Sequence, residues 1–311
     1  MSTWSVSMHS FVRGARVIGK HAVKRLAAWP LTRPATFRRA RHLGRWICTT
    51  AGGDSISSDP TVNGEGYVLE QVVRTARAEP VVIVEVGASR GDYVLLLWAL
   101  SLRYATPSLH YHGFEPGSEA FAVLERRLAD SGITPWTTVN RLAVGAESAM
   151  VAFNRVEGEG SELSSIHPQR VAGAIPFDIV SETVPMTTID DYVSQAQIAH
   201  VLFLKIDAEG NDRDVIAGAR GLLDRQAIDF VQFEYNASWI DARAYLREVF
   251  DLLIPAGYAV GKIRPDFVEC FPRWDYRLEW YEQSNYVAWR RSIDPPFRVL
   301  TTDRYLTTGR K

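Results

Sequence analysis

The sequence predicts an α/β fold, a mostly parallel sheet with helices on both faces. Three observations predict it. From residue 65 onward apolar and turn signals alternate in a βαβ rhythm, the pattern of strands joined by crossover helices. Val81-Val-Ile-Val-Glu-Val-Gly-Ala-Ser-Arg-Gly91 reads as a buried parallel strand opening into a helix through a glycine turn. A second apolar run, Val201 to Asp207, again ends in acidic residues and a glycine.

The elements follow in order. Glu65 to Ala78 reads as a helix leading into the first strand, 81–86. Gly91 to Tyr104 is the helix after the glycine turn, and Leu109 to Glu115 a second strand. Ser118 to Asp130 is a helix with Phe121, Leu124 and Leu128 at helical spacing, and Trp136 to Val144 a third strand. Residues 154–182, rich in Gly, Ser and Pro, form an irregular excursion of the length usual for a lid or binding element. Thr187-Thr-Ile-Asp-Asp-Tyr192 starts a short helix before the strand Val201 to Asp207. Asn211 to Leu223 is a helix, Ile228 to Glu234 a strand, and Ala242 to Leu253 a helix. Tyr258–Ile263 then pairs with Asn285–Arg290 around an aromatic insertion, Phe267 to Tyr281, giving seven strands with a late hairpin.

Composition fits one large domain with appendages: 311 residues, 46% hydrophobic and 23% charged. No apolar run approaches the ~20 residues that span a bilayer. Two cysteines, Cys48 and Cys270, make neither a disulfide framework nor a metal pair, which points to a reducing, cytoplasmic setting. The net charge of −1 hides an asymmetry. Residues 1–50 hold ten Arg/Lys and no Asp or Glu, so the other 261 residues carry −11. The expected division is therefore a basic extension over 1–50, a domain over 51–295 and a tail over 296–311.

Within the extension, Phe11, Ala15, Ile18, Ala22, Leu26 and Trp29 recur at intervals of three and four. Arg13, Arg16, Lys20 and Lys24 lie on another face, and a second basic block runs from Arg33 to Arg45. Three readings fit: a helix packed on its own acidic domain, an anchor lying on a membrane surface, or an Arg-rich targeting segment. A basic segment alone is weak ground for a nucleic-acid arm, and no nucleic-acid partner is expected.

The spacing in the glycine turn decides what it can bind. A dinucleotide fingerprint needs Gly-x-Gly-x-x-Gly, and here the pattern is Glu85-x-Gly87-x-x-x-Gly91. A carboxylate on that strand suits a cationic ligand and would repel a pyrophosphate, which counts against an NAD(P)-dependent oxidoreductase. Glu115, 24 residues beyond Gly91 at the end of the second strand, can hydrogen-bond both hydroxyls of a ribose. Strand alternation would put Lys205, Asp207 and Glu209 on one face, where ionisable groups need partners or a function.

The turn Glu85, Gly87, Ala88, Gly91 resembles motif I of the class I S-adenosylmethionine (SAM) methyltransferases. Leu204-Lys-Ile-Asp-Ala-Glu-Gly210, preceded by Thr187–Tyr192 and followed by Phe233-Glu234, makes the resemblance more specific. With Asn63-Gly-Glu65 and Asn285-Tyr-Val287, it is similar to the FkbM family over roughly residues 59–291. That resemblance implies a Rossmann-like, seven-stranded sheet with an antiparallel last strand, SAM as methyl donor, and O-methylation of sugars, glycolipids, polysaccharides or natural products. It also places the adenine by Asn140 and Ala143.

A sugar hydroxyl needs a base. Asp207 is the first candidate for base or acceptor-orienting group, Glu209 and Glu234 follow, Lys205 pairs with one of them, and His167 is a lid-borne candidate. Asp207, Glu209, Asp212 and Glu234 are hard oxygen ligands for Mg²⁺ or Ca²⁺, but no tight ligand motif supports a metal and none is expected. Asp207-Ala-Glu-Gly stands where base-directed enzymes carry Asp/Asn-Pro-Pro-aromatic, which speaks against a nucleic-acid base as acceptor. Trp274, Tyr276, Trp280 and Tyr281 are expected to cap the core rather than stack on a sugar. The basic N-terminus makes a lipid-linked acceptor and peripheral membrane contact attractive. A non-catalytic binding module on the same fold is the alternative.

Overall fold

The computed structural model describes residues 34–52, 57, 59–76, 80–106, 108–156, 163–168 and 178–301. The amphipathic pattern of residues 11–29 lies outside them. The chain separates into two units, Met1–Gly52 and Gly53–Lys311. The described part of the first is one helix, α1, Pro34–Gly52.

The second unit opens with a short helix, α2 (Pro60–Asn63), and α3 (Glu65–Thr75), followed by strand β1 (Val81–Val86) and α4 (Asp92–Tyr104). Next come β2 (Leu109–Phe114), α5 (Ser118–Asp130), β3 (Thr137–Asn140), β4 (Ala143–Val144), β5 (Ala149–Val156) and β6 (Ile179–Thr187). After α6 (Ile189–Gln195) the chain runs through β7 (Val201–Ile206), α7 (Asp212–Ala217), α8 (Arg220–Asp224) and β8 (Ile228–Tyr235). It ends with α9 (Ser238–Ala242), α10 (Leu246–Leu253), β9 (Tyr258–Ile263), β10 (Val268–Phe271), β11 (Ser284–Arg290) and β12 (Val299–Thr301).

The main sheet has nine strands in the order β12-β10-β9-β11-β8-β7-β1-β2-β3. β3, β2, β1, β7 and β8 are mutually parallel, and β11 is antiparallel to both β8 and β9. The expected seven strands are all present, with the antiparallel one between β8 and β9. Two more, β10 and β12, extend the edge. β12 falls in the segment expected as a tail, and the neighbouring Phe297 is buried in the core.

The apolar run of β1 is continuous because both faces are covered. Val82, Val84 and Val86 pack into one cluster with α6, α7, α8 and α10. Val81 and Ile83 pack into the other with α3, α4 and α5. Alternation thus assigns each side of the strand its own helices.

Local boundaries differ from the sequence reading in four places. The third strand breaks at Arg141-Leu142, and its second half, β4, leaves the main sheet to join β6 and β5 in a small three-stranded sheet. The excursion of 154–182 is correspondingly flanked by paired strands, since β5 and β6 run antiparallel from Ala149↔Met186 to Val156↔Ile179. The helix at 211–223 divides into α7 and α8, with Asp190 accepting from Gly221 N (2.6 Å) and Leu222 N (2.9 Å) at the start of the second. The helix foreseen from Ala242 begins at Leu246, because Arg243 adopts a left-handed φ of 56° that ends α9.

Candidate active site

The loop after β1 is built on its glycines. Gly87 has φ +80° and Gly91, which caps α4, has φ +88°, a region that favours glycine. Gly87 N and Ala88 N both donate to Phe114 O at 2.9 Å, so the turn hangs on the end of β2. A Cβ at Gly87 would lie 1.8 Å from Asp207 O, and Asp207 N donates to Val86 O at 2.9 Å. The two motifs singled out in the sequence therefore meet backbone to backbone. Gly87 is required by that contact before any ligand is considered.

Glu115 follows β2 and is buried. Its Oε2 accepts from Ser89 N (2.9 Å) and its Oε1 from Gly117 N (2.8 Å). Each oxygen keeps acceptor capacity for a further donor, as a ribose would require. Burial pushes this carboxyl up to about 7, against the pull of the two amides. Asn140 Nδ2 donates to Gly113 O (3.2 Å) and meets Tyr192 Oη (3.2 Å), so its amide ties β3 to β2 and α6. Ala143 is buried in the small sheet beside Phe153 and Val184. Its expected place on the third strand of the main sheet is thus corrected by the break before it.

Glu85 is 2% exposed and sits on the α3/α4 side of the sheet, where it accepts from Tyr111 Oη at 2.6 Å. Across the sheet its direct neighbour is Lys205, whose neighbour in turn is Gln232. Gln232 Nε2 donates to Glu65 at 2.7 Å, and Glu65 begins α3 directly after Gly64. A buried polar row thus runs beneath the carboxyl ends of the strands, with Lys205 Nζ also 5.1 Å from the centre of the Tyr93 ring. Burial raises Glu85 to about 7, with Lys205 opposing. Burial pulls Lys205 down, but Asp207, Glu65 and Glu85 outweigh it and leave the ammonium well above its ordinary value. The three carboxylates around it favour the charged form of Lys205.

Lys205 Nζ donates to Asp207 Oδ2 at 2.9 Å, and the Asp207 side chain is 35% exposed. Asp207 and Glu209 lie beyond the end of β7, and Glu209 has φ +46°, so the shared face expected from strand alternation gives way to a turn. That turn brings carboxylate oxygens of Asp207, Glu209 and Glu234 within 4.8 Å of one another. Glu234 is buried, and accepts from Asn236 Nδ2 (2.6 Å) and Gln283 Nε2 (2.9 Å). Burial, then the charges of Asp207 and Glu209, hold it well above the ordinary carboxylate range. Asp212 is not in this group. Its oxygens accept from Ala208 N (3.5 Å) and Gly210 N (3.2 Å), and burial raises it to about 7.

His167 is brought to the same edge. Its Nε2 is 3.3 Å from Asn211 Oδ1, its N donates to Ser165 Oγ, and Ser165 Oγ donates to Glu209 O at 2.7 Å. Trp274 and Tyr281 pack against the core, whereas Tyr276 and Trp280 are exposed. Asn211, Asn236 and Gln283 carry this half of the site and went unnoticed in the sequence. Asn236 lies two residues beyond a noted glutamate, but nothing local marks Gln283.

A glycine turn after β1, a carboxylate after β2, acids after β7 and an antiparallel strand between β8 and β9 define a class I methyltransferase. Buried carboxylates at the ends of β1 and β2, Glu85 and Glu115, offer the acceptors that ribose hydroxyls and a sulfonium call for. The profile of the methyltransferase FkbM domain matches residues 85–261, and the chain belongs to that family of SAM-dependent methyltransferases. No curated protein matches. Among solved structures, an FkbM methyltransferase from Methylobacillus flagellatus shows 16% identity and a TM-score of 0.41, over 68% of this chain and 45% of that one. The METTL16 methyltransferase domain shows 10% and 0.40, over 73% and 66%. TrmK from M. capricolum, bound to S-adenosylhomocysteine, shows 8% and 0.37, over 76% and 70%. This chain spans less than half of the M. flagellatus protein.

Proposed function

We propose that the chain transfers a methyl group from SAM to a hydroxyl of a sugar, glycolipid, polysaccharide or natural product. The observation that carries this reading is Asp207: a partly exposed carboxylate at the sheet edge, held at 2.9 Å by a buried ammonium and flanked by Glu209 and Glu234. Bound SAM supplies an electrophilic methyl carbon, which an acceptor oxygen displaces in line from sulfur. The chain's residues must then place that oxygen and take its proton. Lys205 fixes Oδ2 of Asp207, leaving Oδ1 to meet the hydroxyl, and Asp207 accepts the proton as the new O–C bond forms. His167, joined through Asn211 to the Glu209 turn, is the second candidate for that proton. Gly87, Ala88, Gly91 and Glu115 are assigned to the adenosyl ligand, Asn140 and Ala143 to the adenine side, and Glu85 to the charge balance beneath it.

Calorimetric titration with SAM, S-adenosylhomocysteine and NAD(H), with and without Mg²⁺, tests the donor side. Asp207→Asn tested on a panel of hydroxylated glycans with labelled SAM tests the acceptor side. Binding of adenosyl ligands together with transfer that needs Asp207 supports the reading. Binding without transfer to any member favours the non-catalytic module, and transfer to an amine instead removes the O-methyl assignment.

A further inference from the structure

From Pro34 onward the second basic block of the N-terminal segment, a run of charges in the sequence, lies in the helix α1. At 3.6 residues per turn, Phe37, Ala40, Leu43, Gly44 and Ile47 fall within roughly one third of its circumference. Arg38, Arg41 and Arg45 line one flank of that arc. Arg39 lies on the other, beside Trp46. Here Phe37 is 47% exposed, Leu43 57%, Ile47 50% and Trp46 62%.

We infer that α1 is a docking surface for an anionic membrane. An apolar arc with arginines on its flanks and Phe and Trp among its side chains is what lets a helix lie in the headgroup region with its charges among lipid phosphates. Both halves of that pattern are needed. RNA would use the arginines for its phosphates and Phe37 and Trp46 for base stacking, and would leave the exposed Leu43 and Ile47 without a role. Charge points the same way, because residues 1–50 hold ten Arg/Lys and no acid. No helix among the described residues is long and apolar enough to cross a membrane, so α1 lies on the surface. This inference is independent of the acceptor's identity.

The test is flotation of the full-length chain with vesicles of phosphatidylcholine alone and with about one quarter phosphatidylglycerol. The chain should float with the anionic vesicles and not with the neutral ones. Reversing Arg38, Arg41 and Arg45 to Glu should weaken binding at least about tenfold. Leu43→Asp with Ile47→Asp should weaken it similarly, and SAM binding by calorimetry, unchanged in both, shows that the variants are folded. Absence of flotation overturns the inference, as does flotation that survives either variant. A single-stranded RNA that displaces the vesicles and still binds the Leu43→Asp/Ile47→Asp chain makes the segment a nucleic-acid arm instead.

Discussion

The two halves of the site are held by different kinds of bond. After β1 and β2 the partners are backbone groups: Gly87 N and Ala88 N on Phe114 O, and Ser89 N and Gly117 N on Glu115. On the clustered carboxylates after β7 and β8 they are side chains: Lys205 on Asp207, and Asn236 and Gln283 on Glu234. Backbone donors are fixed by the fold and tolerate no adjustment, which suits the half proposed for the one invariant ligand, the methyl donor. Side-chain donors can be exchanged singly, which suits the half proposed for the acceptor.

Gly87→Ala is the strongest way to break this division, because Gly87 touches both halves. Its Cβ would meet the Asp207 carbonyl at 1.8 Å, and backbone at the ends of two central strands has nowhere to go. SAM binding should be lost in calorimetry, with a fall in thermal midpoint, and Gly87→Arg should do the same. An unaltered Gly87→Ala protein would show that the two loops are not coupled.

Asp207→Asn should touch one half alone. Turnover should fall by roughly the 10²–10⁴-fold expected of a lost general base, while SAM affinity stays within a few-fold. Turnover that survives would pass the role to His167 or Glu209.

The buried acids of the cofactor half give a pH signature. Glu85 and Glu115 are raised from 4.5 to about 7, so each binds a proton more readily in the folded chain than in the unfolded one. The stability this confers is fully present below the ordinary value and is lost as pH rises to about 7, a swing on the order of 3 kcal/mol per group. Denaturation of the ligand-free protein should therefore show falling stability across that window. Glu85→Gln should remove one proton's worth of the slope, and an unchanged slope would exclude Glu85 as its source.

Legibility in the sequence follows the same line. The cofactor half was readable because its geometry rests on glycines and on a carboxylate at a strand end, features of a few adjacent residues. Even so, the sequence assigned Gly87 to a ligand, whereas its first obligation is to Asp207. The acceptor half was readable only in its acids. Gln283 reaches Glu234 from 49 residues away and Glu65 reaches Gln232 from 167, contacts created by strand order rather than by any local pattern. The break of the third strand was likewise invisible, since Ala143-Val144 is as apolar in the small sheet as it would be in the large one. In the N-terminal segment, Arg33 to Arg45 read as a charge block because arginine dominates it, and its helical apolar arc emerges only from the backbone.

The smallest effect expected is at Gln283, and it sharpens the comparison most. Replacing Gln283 by Leu removes one of the two amides on Glu234 and leaves the Asn236 bond in place. A neutral donor lost from a buried carboxylate disfavours the ionised form, so a group already held high should move higher still. The sign is then fixed. Toward acid pH, where Glu234 is protonated in both chains, they should differ little, whereas toward alkaline pH, where it ionises, the variant should be less stable by about 1–2 kcal/mol. Equal losses at both pH values would mean that Gln283 acts by packing alone. In that case Glu234 is a structural acid, and the acceptor half reduces to Asp207, Glu209 and His167.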